Sequence, residues 1–262
     1  MARFDDQGKP QSLMGSSKEG DYYVVRAKDT SVWEYGSQDW IGTDVVESHV
    51  DTYMDAGGIE KIIIGEGGKD VVANRNNTEI IGNSKDNVIW GGQGTSKIDA
   101  GAGNDSINSG IYNDTITGGT GADTFNFGED GNWNASTITF TDTITDFDPE
   151  LDRIVLNTAD FKMLKPGFTF EVTKTKAGVD TLKSQLIYCE ENGGLYYNPN
   201  SSKKDFGAFP KVNGTYVHDD GGLFVILANK PKLERKHILI SVVDPRKVVP
   251  FKPTNQAGPF VS

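Results

Sequence analysis

The apolar positions between residues 82 and 126 recur every nine residues without a gap. The five nonamers read GNSKDNVIW, GGQGTSKID, AGAGNDSIN, SGIYNDTIT and GGTGADTFN. Their first six positions are rich in glycine and polar residues, which is typical of turns, and their last three form a minimal strand. The eighth position is always a large apolar residue, and these residues are Ile89, Ile98, Ile107, Ile116 and Phe125. The pattern predicts short strands, each with one inward-facing side chain, alternating with turns.

Two nonamers make one coil of a parallel β-solenoid, because each contributes one turn and one strand. Successive coils stack about 4.8 Å apart, so turns that are two nonamers apart lie above one another. The predicted stacks are 82–87, 100–105 and 118–123 along one edge, and 91–96 and 109–114 along the other.

The sixth position of the repeat carries the candidate chemistry. It is acidic at Asp105, Asp114 and Asp123, and polar at Asn87 and Ser96. Stacked coils bring the carboxylates close together, where bare negative charges repel. A hard cation with about six to eight oxygen ligands removes this conflict, and Ca²⁺ prefers carboxylate and carbonyl oxygens. The sequence therefore predicts Ca²⁺ between the turns.

The best predicted calcium site lies between the turns that end at Asp105 and Asp123. Backbone carbonyl oxygens of the glycine-rich turns complete it, and the further candidate ligands are Gly101, Gly103, Asn104, Gly119 and Gly121. A weaker site uses Asp114 with the carbonyl oxygens of the turn 91–96, and Asn87 is another candidate ligand. The alternative for Asp114 is a hydrogen-bonded turn residue without metal. We expect about one to three ions.

Composition narrows the possible functions. Glycine accounts for 31 of 262 residues, which argues against a helix bundle. The net charge of −11 argues against binding nucleic acid. Cys189 is the only cysteine, so no internal disulfide forms. No run of apolar residues is long enough to span a membrane, and the N-terminus lacks the apolar region of a secretory signal.

The segments around the repeats also read as strands and turns. We divide the chain into an N-terminal extension, a strand-rich cap, the repeats, a C-terminal cap and an extended tail. Their respective ranges are 1–19, 20–81, 82–126, 127–240 and 241–262.

The repeats resemble those of the repeats-in-toxin (RTX) family of haemolysin-type calcium-binding proteins, and the resemblance extends over about 20–240. GGTGADTF is a full match to the family nonapeptide, and AGAGNDSI is nearly one. ITDFDPELDRIVL looks like the segment that closes the family's β-roll, and LIYCEENGGLYYNPN looks like its C-terminal sandwich. The resemblance implies an all-β protein with a short parallel β-roll, flanked by N-terminal strands and capped by a C-terminal antiparallel β-sandwich. It also makes Asp146 and Asp152 candidate ligands of a third calcium site, and the alternative for both is a turn residue without metal.

The nonamers depart from the family pattern at several positions. Asn87 and Ser96 replace the sixth-position Asp, and Lys85 and Tyr112 replace the fourth-position Gly. Tyr112 is the more telling departure, because a glycine there normally supplies a positive φ. These departures predict fewer calcium sites than there are repeats.

The expected function is a non-enzymatic, calcium-stabilised structural or adhesive protein in an extracellular assembly, such as a surface layer, a matrix or a virion surface. By resemblance it is exported in one step by a channel that reads the C-terminus. Expected partners are further copies of the chain, a neighbouring structural protein or a glycan surface. The sequence contains neither the His-Glu-x-x-His motif of zinc proteases nor the Gly-x-Ser-x-Gly motif of lipases, so neither motif indicates catalysis.

Two other functions stay open. One is an enzyme module that either modifies a polysaccharide or, as the resemblance allows, cuts itself at Asp148-Pro149 or Asp244-Pro245 when calcium binds. The other is a carbohydrate- or ice-binding module. It would use the alternating threonines of 137–145, which share one face of a predicted strand.

Overall fold

The computed structural model describes most of the chain, and its described residues form strands joined by turns, with one short α-helix, α1 (Lys176–Val179), and one 3₁₀ helix (Arg235–His237). Within the described part, no helix is long and apolar enough to cross a membrane. The described residues are 2–15, 20–28, 30–33, 42–54, 58–73, 78–92, 94–110, 112–128, 140–158, 161–198, 211–212, 215–216 and 222–241.

The larger of two main sheets has twelve strands, numbered here along the chain. The first eight strands in spatial order, and then β22, all pair in parallel. The spatial order is β1 (Arg3–Asp5), β3 (Tyr22–Val25), β5 (Val45–Ser48), β7 (Lys61–Ile64), β9 (Glu79–Asn83), β11 (Lys97–Gly101), β13 (Thr115–Thr117), β15 (Asp142–Ile144), β22 (Gly222–Leu227), β19 (Gly194–Tyr197), β18 (Leu186–Cys189) and β17 (Phe170–Thr173).

The second main sheet has seven strands, all paired in parallel. Their order is β6 (Thr52–Met54), β8 (Asp70–Ala73), β10 (Val88–Trp90), β12 (Ser106–Asn108), β14 (Thr124–Phe127), β16 (Arg153–Asn157) and β23 (Ile238–Ser241). From β5 to β16 the chain alternates between the two main sheets, which is the winding of a β-roll. Two smaller sheets are β2 (Ser12–Met14) with β4 (Ser31–Trp33), and β20 (Lys211–Val212) with β21 (Thr215–Tyr216).

The core lies between the two sheets and is built from stacked apolar columns. Ile98 pairs with Ile116 in one sheet, and Ile107 pairs with Phe125 in the other. All five eighth-position residues of the nonamers are at most 2% exposed. The eighth position therefore faces inward, as the repeat predicts, and the all-β parallel β-roll is confirmed.

The parallel ladder extends well beyond the nonamers. Tyr23, Val46 and Ile62 are buried in the column that continues into Ile80 and Ile98. The segment 20–81, predicted as a cap, therefore contributes coils to the same sheets. The physical reason is that stacking requires only one inward apolar residue per strand, so strands outside the regular nine-residue period of 82–126 also join the sheets.

The C-terminal segment 127–240 also continues the roll. Within its described residues, β15, β16, β22 and β23 extend the two sheets in parallel. The antiparallel pairing predicted for a sandwich is confined to β18, β19 and β22 in the large sheet, and to the small pair β20–β21. Beyond Ser241, the predicted tail lies outside the described residues.

The threonines of 137–145 do not form one exposed edge strand in the described part. Strand β15 begins at Asp142 and lies inside the sheet, between β13 and β22. Thr141 Oγ1 donates to the carbonyl oxygen of Leu223 at 3.3 Å, and Thr145 shares a 2.8 Å hydroxyl hydrogen bond with Thr117. Thr137 and Thr139 lie outside the described residues.

Candidate metal centre

The sixth-position side chains form a ladder along one edge of the roll. Asp105 Oδ1 accepts a hydrogen bond from the backbone N–H of Asn87 at 2.6 Å, one coil towards the N-terminus. Asp123 Oδ1 accepts from Asp105 N at 2.8 Å, and Asp152 Oδ1 accepts from Asp123 N at 2.9 Å. These bonds place the turns 82–87, 100–105 and 118–123 above one another, as the nine-residue period predicts.

A second ladder runs along the opposite edge. Asp114 Oδ1 accepts from the N–H of Ser96 at 2.5 Å, and Asp142 Oδ1 accepts from Asp114 N at 2.9 Å. Ser109 Oγ donates to the other oxygen of Asp142 at 2.8 Å. Asp142 was missed from sequence because it falls outside the nonamers. The tripeptide Asp-Thr-Ile, shared by 114–116 and 142–144, was the available signal.

Three of the ladder carboxylates keep one oxygen without a hydrogen-bond partner. These atoms are the Oδ2 oxygens of Asp105, Asp114 and Asp123, all buried. Burial, opposed by the hydrogen bond from Asn87 and reinforced by Asp123, raises the pKa of Asp105 to about 6. Burial and the neighbouring Asp142 raise the pKa of Asp114 to about 8, and burial also raises that of Asp123.

A buried carboxylate oxygen without a donor is costly, and a cation that binds there removes the cost. The Oδ2 oxygens of these three residues therefore have the chemistry that a hard divalent cation requires.

The glycines of these turns allow the coils to approach closely. A Cβ on Gly118 would lie 2.6 Å from Asp123 Oδ2. Gly119 and Gly121 have φ of +97° and +136°, and a Cβ on either would overlap the carbonyl oxygen of Gly101 or Gly103, respectively. The carbonyl oxygens of Gly101 and Gly103 thus lie against glycines of the stacked turn, close in the chain to the Asp105 and Asp123 carboxylates, and the residues present fit a calcium ion.

The other predicted ligands have hydrogen-bonding roles in the structure. Asp146 accepts from the N–H groups of Gly118 and Gly119 at 3.0 and 2.8 Å, one with each oxygen. Asp152 accepts from Asp123 N and Asp148 N, also one with each oxygen. Both oxygens of each carboxylate accept from backbone N–H groups. Asp146 and Asp152 are therefore hydrogen-bonded turn residues, whereas Asp105 and Asp123 each keep one oxygen without a donor.

Asn87 and Asn104 also hold turns together. Asn87 Oδ1 accepts from Asn83 N at 3.0 Å, and its Nδ2 donates to Asn83 Oδ1 at 3.2 Å. Asn104 Oδ1 accepts from Ala122 N at 2.9 Å, which links the two turns of the best predicted site. Calcium ligation by these residues stays a prediction.

Within the described residues, no group of three or more His, Cys, Asp or Glu side chains is arranged to hold a metal. The ladder offers its carboxylates singly or in pairs. A bound Ca²⁺ would therefore take most of its ligands from backbone carbonyls, which suits its preference for many oxygen ligands.

Comparisons with known proteins agree with this chemistry. The family profile of the RTX calcium-binding nonapeptide repeat (4 copies) matches residues 72–107 and 99–133. The matched residues are fewer than the range of about 20–240 over which the sequence resembles the family. No curated protein is significantly similar in sequence to the chain.

Among solved structures, the solution structure of the AlgE6R3 subunit from the Azotobacter vinelandii mannuronan C5-epimerase is similar to this chain. The sequence identity is 25% and the TM-score is 0.42, with 76% of this chain and 91% of that chain covered. The strand ladders and the profile match together lead to one conclusion. Within residues 72–133, this chain carries RTX calcium-binding nonapeptide repeats, and it folds as a β-roll.

Proposed function

We propose that this protein is a non-enzymatic, calcium-stabilised structural or adhesive component of an extracellular assembly. The observation that carries the proposal is the row of buried carboxylates, Asp105, Asp114 and Asp123, each with an unpartnered oxygen. A ladder of this kind is stable when a cation binds it and is strained by repulsion when none does.

The calcium concentration of each compartment then determines whether the protein is rigid there. Extracellular calcium modules bind with dissociation constants of about 10⁻⁴ to 10⁻³ M, far above cytosolic calcium levels. Sites of this affinity stay empty inside a cell and fill outside it. The glycine-rich turns have few apolar side chains, so the ion supplies stability that the core does not.

A structural role also agrees with how the titratable groups are distributed. The carboxylates with the largest rises in pKa, Asp114 and Asp142, lie in the ladder between coils and hydrogen-bond to backbone. His49 pairs with Glu47 at 2.8 Å, whereas His237 Nδ1 accepts from Glu234 N at 2.9 Å. These two histidines therefore belong to separate local networks rather than to a shared catalytic cluster.

We propose further copies of the chain as the first partner. In the described part of the chain, β1 and β17 end the large sheet, and β6 and β23 end the smaller one. End strands offer backbone donors and acceptors to another chain. A neighbouring structural protein or a glycan surface are the other partners that this function allows.

Sedimentation velocity and circular dichroism test the proposal, with the same sample in EDTA and in millimolar calcium. We expect β-structure, melting temperature and sedimentation coefficient all to rise with calcium. The double variant Asp105→Asn/Asp123→Asn should lose most of the rise, whereas Asp99→Asn, on the exposed face of β11, should retain it. A protein that is equally folded in EDTA would contradict calcium stabilisation. A new fragment after calcium addition would contradict the non-enzymatic assignment.

A further inference from the structure

The turns 65–69 and 82–87 are stacked like the turns of the best calcium site, but their polar groups are arranged differently. Asn83 Nδ2 donates to the carbonyl oxygens of Gly65 and Gly68 at 2.9 and 3.1 Å. The ammonium of Lys85 donates to the carbonyl oxygen of Glu66. Three backbone carbonyls of one turn are therefore bound by side-chain donors of the turn stacked on it. We call this arrangement the lysine joint.

Asn83 is the centre of the lysine joint. Its Oδ1 accepts from Lys85 N at 2.8 Å and from Asn87 Nδ2 at 3.2 Å, while its Nδ2 binds the two carbonyls. The sixth position, Asn87, is neutral, so this turn has no sixth-position carboxylate whose charge needs compensation. The positive charge that a metal ion would supply is already present on Lys85.

These groups do not fit a calcium ion. Calcium would compete with Asn83 and Lys85 for these carbonyl oxygens, and the Gly65 oxygen has both lone pairs occupied, because it also accepts from Gly68 N at 3.0 Å. The Lys85 ammonium would also repel a divalent cation held by the same turn. The contrast with Asp105 and Asp123 is direct, because their buried Oδ2 oxygens have no protein donor.

The opposite edge has a related substitution. Ser96 occupies a sixth position, and its hydroxyl lies 3.0 Å from the carbonyl oxygen of Gly91 and 3.4 Å from that of Gly94. The hydroxyl has one hydrogen, so it donates to one of these carbonyls of its own turn, where other repeats have a carboxylate. Asp114, which stacks on this turn, keeps its Oδ2 oxygen without a partner, so the turn 91–96 stays part of a candidate calcium site.

We propose that Asn83 and Lys85 replace calcium between the turns 65–69 and 82–87, so that β7 to β10 stay folded without the ion and form a template for the calcium-dependent strands β12 to β16. The contrast between these two groups of strands rests on the proposed calcium stabilisation. The template itself depends only on the hydrogen bonds of the lysine joint.

Hydrogen exchange of the full-length protein, followed by mass spectrometry in EDTA and in millimolar calcium, tests the proposal. In EDTA we expect the amides of β12 to β16 to exchange at least about tenfold faster than in calcium, while those of β7 to β10 stay protected. Lys85→Met and Asn83→Asp should accelerate exchange in β7 to β10 in EDTA, because each removes a donor to the stacked carbonyls. Lys85→Arg keeps a cationic donor and should retain protection.

The matched control is Asn113→Asp, which makes the same charge change as Asn83→Asp in another turn. Its Oδ1 accepts from Thr141 N at 2.7 Å, and a carboxylate keeps that acceptor. Protection of β7 to β10 should not change in this variant. The template is refuted if β7 to β10 lose protection in EDTA together with β12 to β16, or if Lys85→Met and Asn83→Asp behave like the control. If β12 to β16 stay protected in EDTA, the calcium stabilisation and its contrast with the template are refuted instead.

Discussion

At the scale of single residues, the second oxygen of each carboxylate distinguishes a candidate calcium ligand from a turn acceptor. Asp123 and Asp152 are neighbours in one ladder, and each accepts from a backbone N–H with Oδ1. Asp152 Oδ2 also accepts from Asp148 N at 2.8 Å, whereas Asp123 Oδ2 has no partner. The two side chains look alike in sequence, but only that of Asp123 has an oxygen left for a cation.

The variant Asp123→Asn tests this distinction. An amide keeps the acceptor for Asp105 N but loses the charge that binds calcium. We expect calcium affinity to fall by at least about tenfold, since the number of charged ligands sets the affinity of such sites. The melting temperature in EDTA should not fall, because a buried unpaired charge has been removed. Isothermal titration and thermal unfolding measure both, with Asp152→Asn as the comparison that should weaken calcium binding less.

The raised pKa values predict how pH acts on the calcium-free protein. Burial raises the pKa of Asp142 to about 7, and burial with Asp142 raises that of Asp114 to about 8. Because these pKa values are higher in the folded than in the unfolded chain, the folded state binds protons more tightly. The stabilisation is complete below about pH 4 and is lost as pH rises towards 8.

Thermal unfolding in EDTA from pH 5 to pH 8 checks this direction. The contribution of the ladder to the melting temperature should decrease over this range, and calcium should raise the melting temperature more at pH 8 than at pH 5. Calcium binding at pH 7 should also release protons, which a weakly buffered titration detects. The double variant Asp114→Asn/Asp142→Asn should flatten the pH dependence; an unchanged slope would contradict the assignment to these residues.

At the scale of the elements, the turns decide how closely two coils approach. Gly119 lies over the Gly101 carbonyl with φ +97°, whereas Tyr112 keeps a side chain at φ +88°. Tyr112 is 42% exposed, and its ring packs on Phe140 with the ring centroids 4.5 Å apart. The positive φ that the repeat pattern predicts at Tyr112 is confirmed. Both turns are stacked, but the side chain of Tyr112 reaches solvent, whereas a Cβ on Gly119 would overlap the carbonyl oxygen of Gly101.

Gly119→Ala and Gly167→Ala separate backbone strain from this close approach. Gly167 has a similar φ of +89°, but a Cβ there would meet nothing within 4 Å. We expect Gly167→Ala to cost about 1 kcal/mol from the left-handed backbone alone. Gly119→Ala should cost at least about 1 kcal/mol more, because the turn must move off the Gly101 carbonyl. Urea unfolding in calcium measures the difference, and equal costs would contradict the close stacking.

At the scale of the whole molecule, aromatic side chains connect the repeats to the C-terminal strands. Phe224 of β22 packs edge-on against Phe127 and Phe161, with ring centroids 5.7 and 5.2 Å apart. Phe161 in turn packs against Tyr197 of β19. Since β22 also pairs with β15, the C-terminal segment closes the end of the roll through both backbone and core contacts.

Phe224→Ala should therefore destabilise the repeats as well as the C-terminal strands. Truncation of a buried phenylalanine costs about 3–5 kcal/mol, and we expect the calcium needed for folding to rise as a consequence. Calcium titrations followed by circular dichroism measure this shift. Leu239→Ala is the control, because Leu239 is an exposed residue of β23 and should change little. Normal calcium-induced folding in Phe224→Ala would contradict the coupling.

The nine-residue unit alone specifies the repeat period, the column of inward-facing apolar side chains and the polar side chains of the turns. These features are local, since a nine-residue unit specifies its own turn, its own strand and its own sixth-position side chain. This is why Ile98, Ile116 and the stacking of Asp105 with Asp123 were predicted correctly, and why calcium followed as the cofactor.

How far the ladder extends and which oxygens remain free depend on the tertiary structure. Tyr23 pairs with Val46 and Asp142 pairs with Val225, and all four residues lie outside the regular nine-residue repeat. A turn carbonyl can accept from Lys85, accept from a backbone N–H or stay free for an ion. The turn that stacks on it determines which of these occurs. That contact is made between coils, so folding decides it and the nonamer alone does not.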